Sequence, residues 1–353
     1  MKKTVSLLLA ATTLLAACNK QEQTPLPEPQ TYGTIQLSID ADSGLQTKAV
    51  EAYTTAQTYE SQVNKVQVFV FGSDGKINYY KNLGTSLTGS ITTSSGSKTV
   101  YAVVNGPDLS TVGTLSELEA KAVDLSANST TASTGFVMAG KASCTVSSSS
   151  VNCAITVSRL AARVVLKSVT NALPASYGAL KIERVFLSNV VGNQNLAGTA
   201  SPSTWYNKEG RKDESPLVES HIIDGSTYTA SCPTLTFKSV AQSVANGASH
   251  APSTPYFFYS YANSSTASPS GFNATFAAQR SVLVVVATVD GAICYYPVVL
   301  DDAALVRNTT YTVGLTINSV GSTDPNKPVE KGAINVTVTV AGWQAGATYD
   351  ETI

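Results

Sequence analysis

Five cysteines are the residues of this 353-residue chain best equipped for chemistry. Cys144 and Cys153 flank Ser148-Ser149. If those serines form a two-residue hairpin loop, the facing pairs run outward as Ser147/Ser150, Val146/Val151, Thr145/Asn152 and Cys144/Cys153. The last of these is a close, non-hydrogen-bonded pair, the kind that suits a disulfide. Free thiols and a metal site are the rival readings. Neither His221 nor His250 is near in sequence and no CxxC occurs, so metal ligation has little to rest on. Cys232 and Cys294 could also pair, and their pairing stays open. The two histidines sit in polar, loop-like stretches, where a solvated ring is the ordinary reading. Asp301-Asp302 and Asp213-Glu214 are neighbours in turns and read as solvated charges, not as an acid and a base. G-x-S-x-G, H-E-x-x-H and a glycine-lysine phosphate loop do not occur. The chain is therefore not expected to be an enzyme, and no catalytic residue, metal or cofactor is assigned to it.

The elements that must position these residues are short strands. Val/Ile/Tyr-rich runs alternate with Ser, Thr, Gly and Asn, and long stretches of 3.6-residue apolar period are almost absent, which predicts an all-β protein. Ile35, Leu37 and Ile39 alternate with polar residues over Thr34 to Asp40, a half-buried strand. Val66, Val68 and Val70 lead into the turn Gly72-Ser73-Asp74-Gly75 and a returning strand from Lys76 to Leu83. Further strands are expected at Thr99 to Asn105, Phe136 to Ala142, the cysteine hairpin, and one long strand from Ile155 to Val169. Leu115 to Val123 hints at a short helix. The second half repeats the pattern at Leu180 to Val190, Thr234 to Val240, Tyr256 to Tyr261, Ser281 to Val289, Ala292 to Leu300 and Tyr311 to Asn318. After the linker Ser319 to Gly332, a last strand alternates Ile334, Val336, Val338 and Val340, followed by Trp343. The aromatic run Tyr256 to Tyr261, with Trp205-Tyr206, could stack on sugar rings. Alternation instead puts Phe257, Tyr259 and Tyr261 on one strand face and favours a core.

The N-terminus carries the remaining cysteine. Lys2 and Lys3 precede the apolar run Val5 to Ala17, too short for a comfortable membrane span but laid out as a signal peptide over 1–17. Leu15-Ala16-Ala17-Cys18 resembles the lipobox of bacterial lipoproteins, in which the thiol is alkylated with diacylglycerol and the freed amine acylated. Several acyl chains on Cys18 would anchor the chain firmly. Residues 18–31 are rich in Gln, Pro and Glu and read as a flexible tether. Hydrophobic residues make up 43% of the chain and charged ones 13%, enough apolar material for more than one core. Two domains are expected, 32–158 and 159–353, with the boundary near Arg159. With a net charge of -1 and no basic run beyond the extreme N-terminus, nucleic acid is not an expected partner.

Val100-Tyr101-Ala102-Val103-Val104-Asn105, Phe136-Val137-Met138-Ala139-Gly140, Arg159-Leu160-Ala161-Ala162-Arg163-Val164, Tyr311-Thr312-Val313, Asn335 to Val340 and Trp343 follow one another in an order that resembles the Bacteroidales fimbrillins, major subunits of the type V pilus. The resemblance implies two tandem transthyretin-like β-sandwich domains, an outer-membrane lipoprotein precursor, and a fimbrium at the cell surface that mediates adhesion. It also implies that a trypsin-like surface protease removes the segment 32–48, first strand included. The C-terminal strand of another copy or a related pilin, here 333–343, then fills the vacated groove. The family's protease prefers arginine, and the first arginine here is Arg159, so Lys48-Ala49 is the expected cleavage site. Ile35, Leu37 and Ile39 would be the replaced strand and Ile334, Val336, Val338 and Val340 the donor. A pilus anchor or tip subunit, and a surface glycan-binding lipoprotein, are the alternative functions.

Overall fold

The computed structural model describes residues 31–41, 57–131, 133–208, 232–267, 277–300, 304–323 and 334–342. The first group of elements is β1 (Tyr32–Ala41), α1 (Thr58–Ser61), β2 (Val66–Phe71), β3 (Ile77–Gly84), β4 (Thr88–Ser94), β5 (Gly96–Val104), α2 (Leu115–Ala120), β6 (Ala122–Asp124), β7 (Met138–Val146) and β8 (Ser150–Arg159). The second group is β9 (Ala161–Asn171), β10 (Leu180–Ser188), β11 (Val190–Val191), β12 (Asn193–Asn195), β13 (Trp205–Tyr206), α3 (Pro233–Thr236), β14 (Phe237–Val244), β15 (Ser249–His250), β16 (Tyr256–Tyr261), β17 (Val282–Val289), β18 (Ala292–Val299), β19 (Thr309–Ile317) and β20 (Ile334–Gly342). The all-β expectation is met.

In the first group the strand order is β3-β2-β5-β7-β8-β1-β4. β3 and β4 lie at opposite ends of that order, yet only residues 85–87 join them. So short a connection spans at most roughly 14 Å, so the sheet must curl until its two ends face each other. Inside the curl lie Ile35, Leu37 and Ile39 with Val66, Val68, Val70, Ile91, Val100, Ile155 and Val157. The opposite face of β2 and β5 presents Phe69, Phe71, Tyr101 and Val103 to a second core. β2 is therefore buried on both faces, which explains why its sequence is apolar nearly throughout.

The second group forms a four-stranded sheet, β14-β10-β17-β18, and a sheet ordered β15-β9-β19-β20, with β16 paired to β9 beside β15. The apolar faces of β9, β10, β16, β17 and β19 meet in the same cluster that holds Phe69, Phe71 and Phe136, so one continuous core joins both groups. Turn chemistry follows the sequence. Asp290 and Gly291, at φ 48° and 82°, close the β17–β18 hairpin, the positive φ pair that a two-residue turn of this hand requires. Gly75 at φ 74° ends the β2–β3 turn, and Asp74 there accepts a hydrogen bond from the Lys76 N–H, a turn role and not a cation loop.

Three expectations change. The long strand from Ile155 to Val169 divides at Leu160: β8 ends against Met138, and β9 begins a different sheet. No glycine or proline marks the break, because apolar residues are needed on both sides of it. β4, which pairs along β1, is not among the expected strands. Thr234 to Val240 opens as the single turn α3 before the chain extends into β14.

Candidate functional site

The first and last strands are the parts of the molecule for which the sequence predicts a role. β1 is an interior strand. It pairs antiparallel with β4 from Tyr32↔Ser94 to Ser38↔Thr88 and parallel with β8 from Thr34↔Ser150 to Ala41↔Val157. Ile35, Leu37 and Ile39 are 0%, 4% and 4% exposed, so the predicted alternation points inward. Each such side chain contributes roughly 1.5 to 3 kcal/mol by burial. β4 ends the strand order and its ladder partner is β1, so withdrawal of β1 would unpair β4, open the edge of β8 and bare the trough between them.

β20 is an edge strand. Among the described residues it pairs with β19 alone, antiparallel from Ile317↔Ile334 to Thr309↔Gly342. Ile334, Val336 and Val338 are half-buried against the core; the Val340 backbone belongs to the ladder, and its side chain lies outside the described residues. Cys18, Lys48, Ala49, Trp343, His221 and the acidic pairs at 213–214 and 301–302 are also outside them.

Cys144 and Cys153 lie opposite each other on β7 and β8, in the register that continues from Met138↔Arg159 and Ala139↔Ser158. Both are free thiols in the structure, so the expected bond is not present in it. Burial, reinforced by the neighbouring Cys144 thiol, pushes the Cys153 thiol up to about 12. Cys153 also faces Leu37 across the β1–β8 ladder, so β1 helps to cover it. Cys232 and Cys294 are free as well.

The aromatic run is core. Phe257, Phe258, Tyr259 and Tyr261 are buried, as alternation favours, while Trp205, Tyr206 and Tyr256 are half-buried. His250 is half-buried with Nε2 3.1 Å from the Tyr256 hydroxyl, and burial lowers its pKa. Among the described residues no cluster of three or more His, Cys, Asp or Glu could hold a metal, and no helix is long and apolar enough to cross a membrane. A groove of about 580 Å³ opens between the two groups of strands, lined by Tyr101, Glu119, Lys141, Ser158, Asn195 and Arg307 among others. Lys141 ion-pairs with Glu119 at 2.6 Å within the first group, while Arg307 of the second group donates to Ser158 O and Oγ of the first, so Arg307 serves the contact between the groups.

One cluster escaped the sequence reading. Glu60, in the polar stretch before β2, is fully buried, and its Oε2 lies 2.8 Å from Nη1 of the fully buried Arg163. Tyr259 donates its hydroxyl to Glu60 Oε1 at 2.5 Å, the Gln57 N–H donates to Oε2 at 2.6 Å, and Arg159 Nε donates to the Glu60 carbonyl at 2.9 Å. Arg163 also donates to Thr310 Oγ1 and lies over the Phe257 ring. The available signal was the Gln57-x-x-Glu60 spacing of a helix start. Arg159 is likewise fully buried, so the first arginine of the chain is beyond a protease's reach in the folded protein.

Residues 32–176 match the family described as major fimbrial subunit protein (FimA). Among solved structures, a candidate cell adhesion protein from Bacteroides eggerthii is 21% identical, with 90% of this chain and 97% of that one covered at a TM-score of 0.61. A candidate cell adhesion protein from Parabacteroides distasonis is 18% identical over 90% and 98%, also at 0.61. A fimbrilin (fimA) from Porphyromonas gingivalis is 16% identical over 90% and 99%, again at 0.61. No curated protein matches the chain significantly in sequence. The matched family and these structures are fimbrial and adhesive, and none is an enzyme. Residues 32–176 thus match the major fimbrial subunit (FimA) family model, and over 90% of its length the chain shares the fold of the Porphyromonas gingivalis fimbrilin.

Proposed function

We propose that the chain is a structural subunit of a cell-surface fimbria that polymerises by strand exchange. The precursor is exported, lipidated at Cys18 and carried to the outer membrane. A trypsin-like surface protease cuts it at Lys48-Ala49, and β1 leaves with the removed segment. The strand carrying Ile334, Val336, Val338 and Val340 of another copy, or of a related pilin, enters the slot of Ile35, Leu37 and Ile39. The division into sandwich units at 32–158 and 159–353 belongs to this reading and is supported by the grouping of the larger sheets on either side of Leu160, with the short β6–β12 pair bridging them.

The observation that carries the reading is the contrast between the two strands. β1, of 10 residues, is paired on both sides and seals a core. β20, of 9 residues with a matching alternation, is paired on one side. Withdrawal of the first leaves two unpaired edges and an apolar trough, and a strand of the second kind repairs both. Because donor and slot are different surfaces, the contact is heterologous and propagates as a filament. Truncation after Lys331, or Val336→Asp with Val338→Asp, should leave a folded, processed monomer that forms no fibres in electron micrographs of expressing cells. Fibres of normal length from either variant would overturn the mechanism. An anchor subunit would keep its lipid and its segment, so terminal sequencing of fibre subunits should read Ala49; Cys18 with its lipid on most subunits would assign the anchor role instead.

A further inference from the structure

If β1 is removed, something must stop the chain behind it from peeling away, because residues 57–65 form no strand and lead straight into β2, an interior strand of the sheet. The structure shows what holds them. α1 is a single turn with little stability of its own. Yet it plunges the Glu60 carboxylate into the core, where groups from residues 159–310 receive it: Arg163 Nη1 at 2.8 Å, the Tyr259 hydroxyl at 2.5 Å, and Arg159 Nε on the Glu60 carbonyl. Tyr59 adds a 3.0 Å hydroxyl contact to Tyr259 and packs against Phe136. Both charged groups are 0% exposed. A carboxylate in such a place is held by its partners, since an unpaired buried charge is strongly unfavourable. These partners lie on β8, β9 and β16.

We propose that Glu60 is a positioning residue: its buried pair with Arg163 forms a latch that keeps Gln57 to Lys65 in place once β1 is gone, and so sets the limit of N-terminal trimming. This rests on the processing reading above. The latch makes loss of β1 separable from loss of the fold, because the retained chain is tied to β9 and β16 and not to the strand that leaves. It also protects the next basic residue. No arginine or lysine lies between Lys48 and Lys65, and Lys65 is tied by backbone bonds to Asn105 immediately after the latch.

Limited trypsin digestion of the full chain, followed by mass spectrometry of the N-termini, tests the latch. The wild-type chain should yield a product beginning at Ala49, with Lys65 uncut. Glu60→Gln, which keeps size and removes charge, should speed cleavage after Lys65 on the order of tenfold and give a product beginning at Val66, because local opening governs such cuts. Tyr259→Phe should move the same site by less, and Arg163→Lys should restore part of the protection that Arg163→Ala loses. Unchanged resistance of Lys65 in Glu60→Gln would overturn the proposal. So would simultaneous cutting at Lys65, Lys81, Lys98 and Lys141, which would make Glu60 a general stability residue. Absence of the Lys48 cut in every chain would count against processing alone, while Lys65 would still decide the latch.

Discussion

β1 and β20 are built from the same kind of sequence and held in opposite ways. Both alternate aliphatic with small polar residues. β1 is locked between β4 and β8 with its apolar side chains sealed, whereas β20 rides the outside of β19 with its apolar side chains half covered. The sequence pattern sets what a strand can bury; position in the sheet sets how much it does bury. A strand at an edge can be lent at small cost to its own fold, and a strand in the interior leaves a space that only another strand fills.

The largest expected difference follows from putting a charge at matched places. Leu37→Asp in the precursor should lose about 4 kcal/mol or more in denaturant unfolding, because the carboxylate enters a sealed core. Val336→Asp should lose about 1 kcal/mol, because the side chain can turn to water. Equal losses would break the comparison. Arg163→Ala comes next, with a loss of about 3–5 kcal/mol from leaving the Glu60 carboxylate buried without its partner. Ile35→Ala should cost about 2–4 kcal/mol and Val338→Ala about 1 kcal/mol, read from midpoint shifts at constant slope.

The smallest effect concerns the thiols. In the exported protein Cys144 and Cys153 should oxidise, and non-reducing peptide mapping should recover the bonded pair. Cys144→Ser with Cys153→Ser should then lower stability by roughly 2 kcal/mol, since the closed loop is short. Recovery of both as free thiols from exported protein would reject the bond. In the reduced precursor, the raised Cys153 pKa means that the neutral thiol stabilises the fold fully below its unfolded value and that this stabilisation is lost as pH rises towards about 12. Alkylation of reduced Cys153 should therefore be slow at neutral pH while β1 is in place, and faster once Leu37 no longer covers it.

Much of this was legible in the sequence. Ile35/Leu37/Ile39 and the Val66/Val68/Val70 run declare their faces by alternation, and Asp74-Gly75 and Asp290-Gly291 declare turns. Phe257, Tyr259 and Tyr261 read as core and are core. β4 was illegible because its buried apolar content is Ile91 alone, and it is a strand by virtue of the partner it pairs with. The break at Leu160 was hidden by unbroken apolarity on both sides. Glu60 was hidden for a different reason: a buried carboxylate makes sense only with Arg163 and Tyr259, which lie 103 and 199 residues away in sequence. Partners so distant leave no local pattern.

The central claim, that β20 of one copy takes the place of β1 in another, is tested most directly by amide hydrogen exchange of β20 in monomer and fibre. In the monomeric precursor β20 should exchange quickly, as an edge strand, while β1 exchanges as slowly as the sheet interior. In fibres residues 32–41 should be absent and the amides of 334–342 should exchange as slowly as β1 did in the precursor. Fibres that retain residues 32–41, or in which β20 exchanges as fast as in the monomer, would contradict the account.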